Sequence, residues 1–155
     1  NPTDEEVKRI KDRVPMTLWQ FHGDESAKRC EEIAEGMPWM KAARIKPGFN
    51  LSDFSLQYAN AAGFLLDAFV EGYGGGGHVF DWSLIPELWA KENAHRVVLS
   101  GGLNTHNVVE GISHLKPCAV DVSSGIEAAK GQKSPELMKA FVEVVRGANP
   151  GTQAV

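Results

Sequence analysis

Phe64, Leu65 and Leu66 form an apolar run that stops on a single acid, Asp67. A segment with four consecutive glycines follows, and then Phe80, Asp81 and Trp82. Desolvation at the rim of an apolar site favours the protonated form of a carboxyl group, the form that can donate a proton near neutral pH. A helix cap or a plain surface acid would also account for an acid there. Two short glycine turns lie further along, Gly101 with Gly102, and Ser123 with Ser124 and Gly125. Glycine lets backbone N–H groups approach an anion closely, and a helix N-terminus after the turn would add a favourable field. Either turn alone reads as a tight turn and nothing more. Both together, after the last two apolar runs, point to a phosphate.

The remaining polar candidates carry two readings each. Gln20 and His22 alternate with Trp19 and Phe21, so in a strand they share one face. That face is either the wall of a site or a hydrogen-bonded pair in a core. Arg44 either binds an anion or makes a structural ion pair. Asp121, between Val120 and Val122, either points into a site or is a satisfied core acid. Cys30 falls in a helical pattern and Cys118 at the start of a strand, and both read as packing residues.

The elements that must position these residues follow from hydrophobic periodicity. Thr3 and Glu6 form a capping-box pattern ahead of Val7, Ile10 and Val14 at helical spacing. MTLWQFHG predicts a short strand, and Ser26 caps a helix over SAKRCEEIAEG. WMKAARI, AAGFLLD, RVVLSGG and CAVDVSSG predict four more strands, separated by helices over LSDFSLQYAN, WSLIPELWAKE and THNVVEGISHL. A last helix starts with Ser134 as cap and Pro135 in the first turn, with Leu137, Phe141, Val144 and Val145 on one face. Residues 147–155 read as a frayed tail. The order is one helix, then five strand–helix units. The strands are continuous apolar runs, the mark of a parallel sheet covered by helices. A doubly wound open sheet fits, and so does part of a (β/α)8 TIM barrel, which when complete has eight strands and typically about 250 residues. In either fold, ligands bind at the C-terminal ends of the strands, where the polar residues cluster.

The 155 residues are expected to form a single domain, with 43% hydrophobic and 23% charged residues, an ordinary globular composition. A net charge of -4 gives no basic surface for nucleic acid. The apolar runs are too short to cross a membrane. The acidic start NPTDEEVKRI lacks the basic and apolar pattern of a secretory leader. Two cysteines without CxxC spacing point to a reducing, cytoplasmic setting. The five histidines show no metal-ligand spacing, so no metal is expected.

LWQFHGDE, KAARI, FLLDAFVEGYGGGGHVFDWSLI, VVLSGGLNTHNV and CAVDVSSGIEAAKGQKSPELMKAFVEVVR, in this order, resemble bacterial phosphoribosylanthranilate isomerase. The resemblance runs from Asn1 to about Arg146. It implies a (β/α)8 TIM barrel and an Amadori rearrangement of N-(5'-phosphoribosyl)anthranilate in tryptophan biosynthesis, with no cofactor. It implies that Asp67 is the general acid that opens the ribose ring. Gly101, Gly102, Ser123, Ser124 and Gly125 would hold the phosphate, and His22 and Asp121 would line the anthranilate side. The glycine segment would be a pliable cover anchored by Phe80 and Trp82. This chain has Gly76, Gly77 and His78 where the family more often carries Thr or Ser followed by Gly-Lys, so a cation on that loop is not expected.

The family also opens with three strands that have no counterpart here. One carries a cysteine general base, and another is followed by an arginine that grips the anthranilate carboxylate. Cys30 and Cys118 stand in the wrong contexts to replace the base, so these residues read as the C-terminal portion of the barrel and are expected to be inactive alone. Two alternatives remain. One is another phosphosugar barrel, such as a pentulose-phosphate epimerase or indole-glycerol-phosphate synthase, which needs metal ligands or a catalytic lysine. Lys41 is not in that context. The other is a non-catalytic half-barrel that acts as a binding or assembly module.

Overall fold

The computed structural model describes residues 1–68 and 81–148. The glycine segment with Gly76, Gly77 and His78, the expected anchor Phe80 and the end of the chain from residue 149 lie outside the described residues. The five expected strands all form: β1 (Trp19–Phe21), β2 (Trp39–Ile45), β3 (Gly63–Ala68), β4 (Val97–Leu99) and β5 (Ala119–Val120). They pair in chain order and every pairing is parallel. That order decides between the two architectures. Right-handed crossovers taken always in one direction place every helix on the same face of the sheet, as in a barrel. A doubly wound sheet reverses direction and covers both faces.

Six helices follow the predicted order: α1 (Asp4–Lys11), α2 (Ala27–Ala34), α3 (Leu51–Gln57), α4 (Glu87–Asn93), α5 (Val108–Leu115) and α6 (Pro135–Ala148). The Thr3–Glu6 capping box is present, and the Ser26 and Ser134 side chains accept from the N–H groups of Arg29 and Leu137. The segment WSLIPELWAKE is not one helix. Pro86 disfavours helical backbone at Ile85, so a 3₁₀ turn (Trp82–Leu84) ends there and α4 begins after the proline. Val14 lies beyond the end of α1 and is exposed, as is Leu137 at the start of α6; Phe141 carries the buried face.

Strand alternation sorts the sheet into two faces. Trp19, Phe21, Trp39, Ala43, Ile45, Phe64, Leu66, Val97 and Leu99 are buried against the helices, where they form the core. Fully burying a side chain such as Phe64, Leu66 or Leu99 contributes about 1.5–3 kcal/mol. Phe64 anchors an aromatic chain, 5.8 Å from Phe54 and 6.1 Å from Trp89 by ring centroids. The residues on the opposite face align laterally. Gln20 pairs with Met40, Ala42 with Leu65, Arg44 with Asp67 and Val98 with Ala119. In a barrel this is the interior face.

Lys41 is the exception on the helix side. It is only 2% exposed, and its ammonium donates to the Gly23 carbonyl at 2.6 Å and to Glu25 Oε2 at 3.0 Å. The pair ties the loop after β1 to β2. Removing one member leaves the other charge buried, at a cost of about 3–5 kcal/mol. Glu25→Ala is therefore expected to lower the urea midpoint strongly, and the double variant with Lys41→Met to recover most of the loss. A single Glu25→Ala variant within about 0.5 kcal/mol of the parent, the scale of an ordinary surface substitution, would show that the pair does not hold this loop.

Candidate active site

The C-terminal edge of the sheet collects the polar residues named above. Asp67 is the penultimate residue of β3 and is 4% exposed. Its Oδ1 accepts from the Ala68 N–H at 2.8 Å and its Oδ2 lies 3.2 Å from His22 Nε2. His22 is half-buried and follows β1 on the same face as Gln20. Gln20 is exposed on that face. Of the two readings of Arg44, the ion pair is present: its guanidinium meets Asp24 Oδ1 at 2.6 Å. Arg44 and Asp67 are nevertheless register partners, so both side chains leave the sheet on the interior side.

Asp121 is exposed on the open edge beyond β5. Its N–H donates to the Leu99 carbonyl, continuing the β4–β5 ladder, and its Oδ2 accepts from the Ser100 hydroxyl at 3.2 Å. Ser100 was not among the sequence candidates. It occupies the interior position after Val98, and only the pairing of β4 with β5 brings it to Asp121.

The two glycine turns are one structure. Gly101 and Gly102 both have left-handed backbone, with φ of 82° and 63°. A Cβ at Gly101 would stand 2.7 Å from Asp67 Oδ1 and 2.6 Å from the Ala68 nitrogen, so this glycine lets the β4 loop lie against the acid. A Cβ at Gly125 would stand 1.8 Å from the Leu103 carbonyl oxygen, so the loop after β5 touches the loop after β4 directly. Ser123 and Ser124 are exposed beside this contact.

The last helix starts at Pro135 as expected, so its N-terminus does not stand directly after the second turn. Gly125 sits in a 3₁₀ turn (Ser124–Ile126), then an antiparallel hairpin of β6 (Glu127–Ala129) and β7 (Gln132–Lys133) intervenes before α6. The sequence EAAKGQK lacks the β-branched and aromatic residues that signal strands. Lys133, at the end of the hairpin, donates to Ser123 O at 2.8 Å and is a neighbour of this loop that sequence reasoning missed.

Neither cysteine belongs to the site. Cys30 is fully buried on α2, and burial pushes its thiol up to about 11 against the opposing pull of Lys41. Cys118 precedes β5, at the N-terminal end of the sheet, with its Sγ 3.1 Å from the Val97 carbonyl. Among the described residues no group of three or more His, Cys, Asp or Glu side chains could hold a metal ion, and no helix is long and apolar enough to cross a membrane. Trp82, the described half of the expected loop anchor, is buried.

Proteins of known function share this architecture and sequence. A family profile described as N-(5'-phosphoribosyl)anthranilate (PRA) isomerase matches residues 1–144. The N-(5'-phosphoribosyl)anthranilate isomerase of Ralstonia nicotianae is 54% identical over 96% of this chain, which spans 68% of that protein's length. The enzyme of the same name from Leptothrix cholodnii is 52% identical over 96% of this chain and 65% of its own. The crystal structure of phosphoribosyl anthranilate isomerase from Thermotoga maritima superimposes with a TM-score of 0.78 at 37% identity, covering 95% of this chain and 70% of that one. A phosphoribosyl anthranilate isomerase in complex with reduced 1-(o-carboxyphenylamino)-1-deoxyribulose 5-phosphate superimposes with a TM-score of 0.74 at 35% identity, covering 95% of this chain and 68% of that one. The parallel sheet in chain order, the acid near the end of β3 and the touching loops after β4 and β5 thus belong to a chain of the N-(5'-phosphoribosyl)anthranilate isomerase family.

Proposed function

We propose that this chain carries the acid and phosphate half of a phosphoribosylanthranilate isomerase. The observation that supports this most is the meeting of a buried acid and two backbone loops at one sheet edge: Asp67 lies against Gly101, and Gly125 lies against Leu103. The loops would hold the 5'-phosphate of N-(5'-phosphoribosyl)anthranilate through backbone N–H groups of Gly102, Ser124 and Gly125. This places the ribose between the phosphate and Asp67. Asp67 protonates the ring oxygen, the C1–O bond breaks, and the anthranilate nitrogen supplies the electron pair to form an iminium at C1. A base then removes the C2 proton, and the resulting enolamine tautomerises to the ketone. His22, beside Asp67, and Asp121, on Ser100, line the aromatic end, with Gln20 and Arg44 on the same wall. No cofactor enters these steps. The setting is cytoplasmic.

The general base and the carboxylate clamp belong to three further strands that close the barrel, outside these 155 residues. The described sheet is open beyond β1 and beyond β5, and the interior-face residues Gln20 and Ala119 on those strands are exposed. Open edges invite pairing with another chain. The decisive assay follows the fluorescence of phosphoribosylanthranilate with the 155-residue polypeptide, with and without a polypeptide that supplies the three closing strands. No turnover is expected alone, together with self-association, and measurable turnover on completion. Failure of the completed barrel to consume this substrate would remove the assignment. Clear turnover by the 155 residues alone would place a base within them.

A further inference from the structure

We propose that Lys133 is the positioning residue of the anion cradle: from the β6–β7 hairpin it holds the Ser123 carbonyl and so aims the Ser124 N–H at the bound phosphate. This rests on the reading of residues 123–125 as a phosphate loop. The Lys133 ammonium has three donors, and three acceptors surround it: Ser123 O at 2.8 Å, Ser123 Oγ at 3.3 Å and Glu127 Oε1 at 2.7 Å. A peptide unit is planar and trans, so its C=O and N–H point in opposite directions. Fixing the Ser123 carbonyl toward the hairpin therefore turns the Ser124 N–H away from it. The Ile126 N–H approaches the same carbonyl at 3.5 Å, which adds to the same orientation. Among the described residues, the N–H groups of Ser124 and Gly125 have no hydrogen-bond acceptor.

Glu127 completes the clasp. Its carboxylate accepts from Lys133 and, at 3.0 Å, from the Gly131 N–H in the hairpin turn. These two bonds, that of Lys133 first, hold the carboxyl below the usual range. The Lys133–Ser123 contact thus links the hairpin to the loop above it. Lys133 is 41% exposed and sits outside the main sheet, so its replacement leaves the core untouched.

The test uses the catalytically complete enzyme and inorganic phosphate as competitor. Lys133→Met is expected to raise both KM and the phosphate inhibition constant about tenfold, the scale of one hydrogen bond to a charged group, with kcat within about threefold. A selective rise in KM is the signature of lost ground-state binding rather than lost chemistry. Lys133→Arg, which keeps charge and donors, should restore binding to within about threefold of the parent. Glu127→Gln, which weakens the staple and leaves Lys133 on Ser123, should change the inhibition constant by no more than about twofold, as an exposed ion pair contributes little. An unchanged inhibition constant in Lys133→Met, with the parent inhibited normally, overturns the clasp and leaves the phosphate loop standing. A loss in Glu127→Gln equal to that in Lys133→Met reduces Lys133 to a hairpin staple and also overturns it. A parent that phosphate does not inhibit overturns the loop assignment and the clasp with it.

Discussion

Asp67→Asn in the complete enzyme is expected to lower kcat by about 10²–10⁴-fold, the usual share of a general acid. The substitution keeps the size of the side chain and removes the transferable proton. It also preserves local geometry. The carbonyl oxygen of asparagine can accept from the Ala68 N–H as Asp67 Oδ1 does, and its amide remains within reach of His22. Substrate binding should therefore change little, because the phosphate contacts lie on the two loops and not on this residue. The two constants separate the proposed role from a structural one. A fall in kcat at nearly constant KM marks an interaction made in the transition state. A variant with near-normal turnover removes Asp67 from the role, and a proportionate loss of KM and stability would mark it as a strut.

The residues of this site differ in how far the chain pattern announces them. The alternation of Trp19 and Phe21 with Gln20 and His22 is a local signal, and the structure honours it because a strand has no other way to bury two aromatics on one side. The place of Asp67 near the end of β3 is legible from the apolar run before it, and the strand runs one residue further, to Ala68. Of the two readings open for Arg44, the pattern could not choose, since Asp24 lies in a different loop and only the fold brings the two to 2.6 Å. Ser100 with Asp121 depends on the register between β4 and β5, which no local periodicity encodes. The β6–β7 hairpin has strands of three and two residues, too short for alternation to show, and its one signal is Gly131 at a turn with φ of 79°. Nothing local therefore marks Lys133 as a neighbour of the Ser123 loop. Proline after isoleucine marks the helix boundary at Pro86, although the apolar spacing of Trp82, Ile85 and Trp89 continues across it.

Gly125→Ala carries the second large effect. The added Cβ would lie 1.8 Å from the Leu103 carbonyl oxygen, 2.9 Å from its carbon and 3.1 Å from the Asn104 Cα. These are backbone atoms, which have no side-chain rotamer to swing aside. Ordinary non-bonded contact between heavy atoms begins at about 3.5 Å, so the loops after β4 and β5 must part by more than an ångström. The Leu103 loop cannot yield freely, because the Gly102 carbonyl accepts from Asn107 Nδ2 at 3.0 Å and the Asn104 N–H donates to Asn107 Oδ1 at 2.8 Å. A displacement of that size in groups that position a substrate costs about 10²-fold. The expected result is a loss of kcat/KM of that order, with weakened inhibition by inorganic phosphate and an unchanged far-ultraviolet dichroism, since both loops stand outside the sheet. Gly147→Ala on α6 is the matched control: a Cβ there meets nothing within 4 Å, and activity should be unaffected. If Gly125→Ala binds phosphate as tightly as the parent, the two loops do not share one anion, and the phosphate must be sought away from their contact.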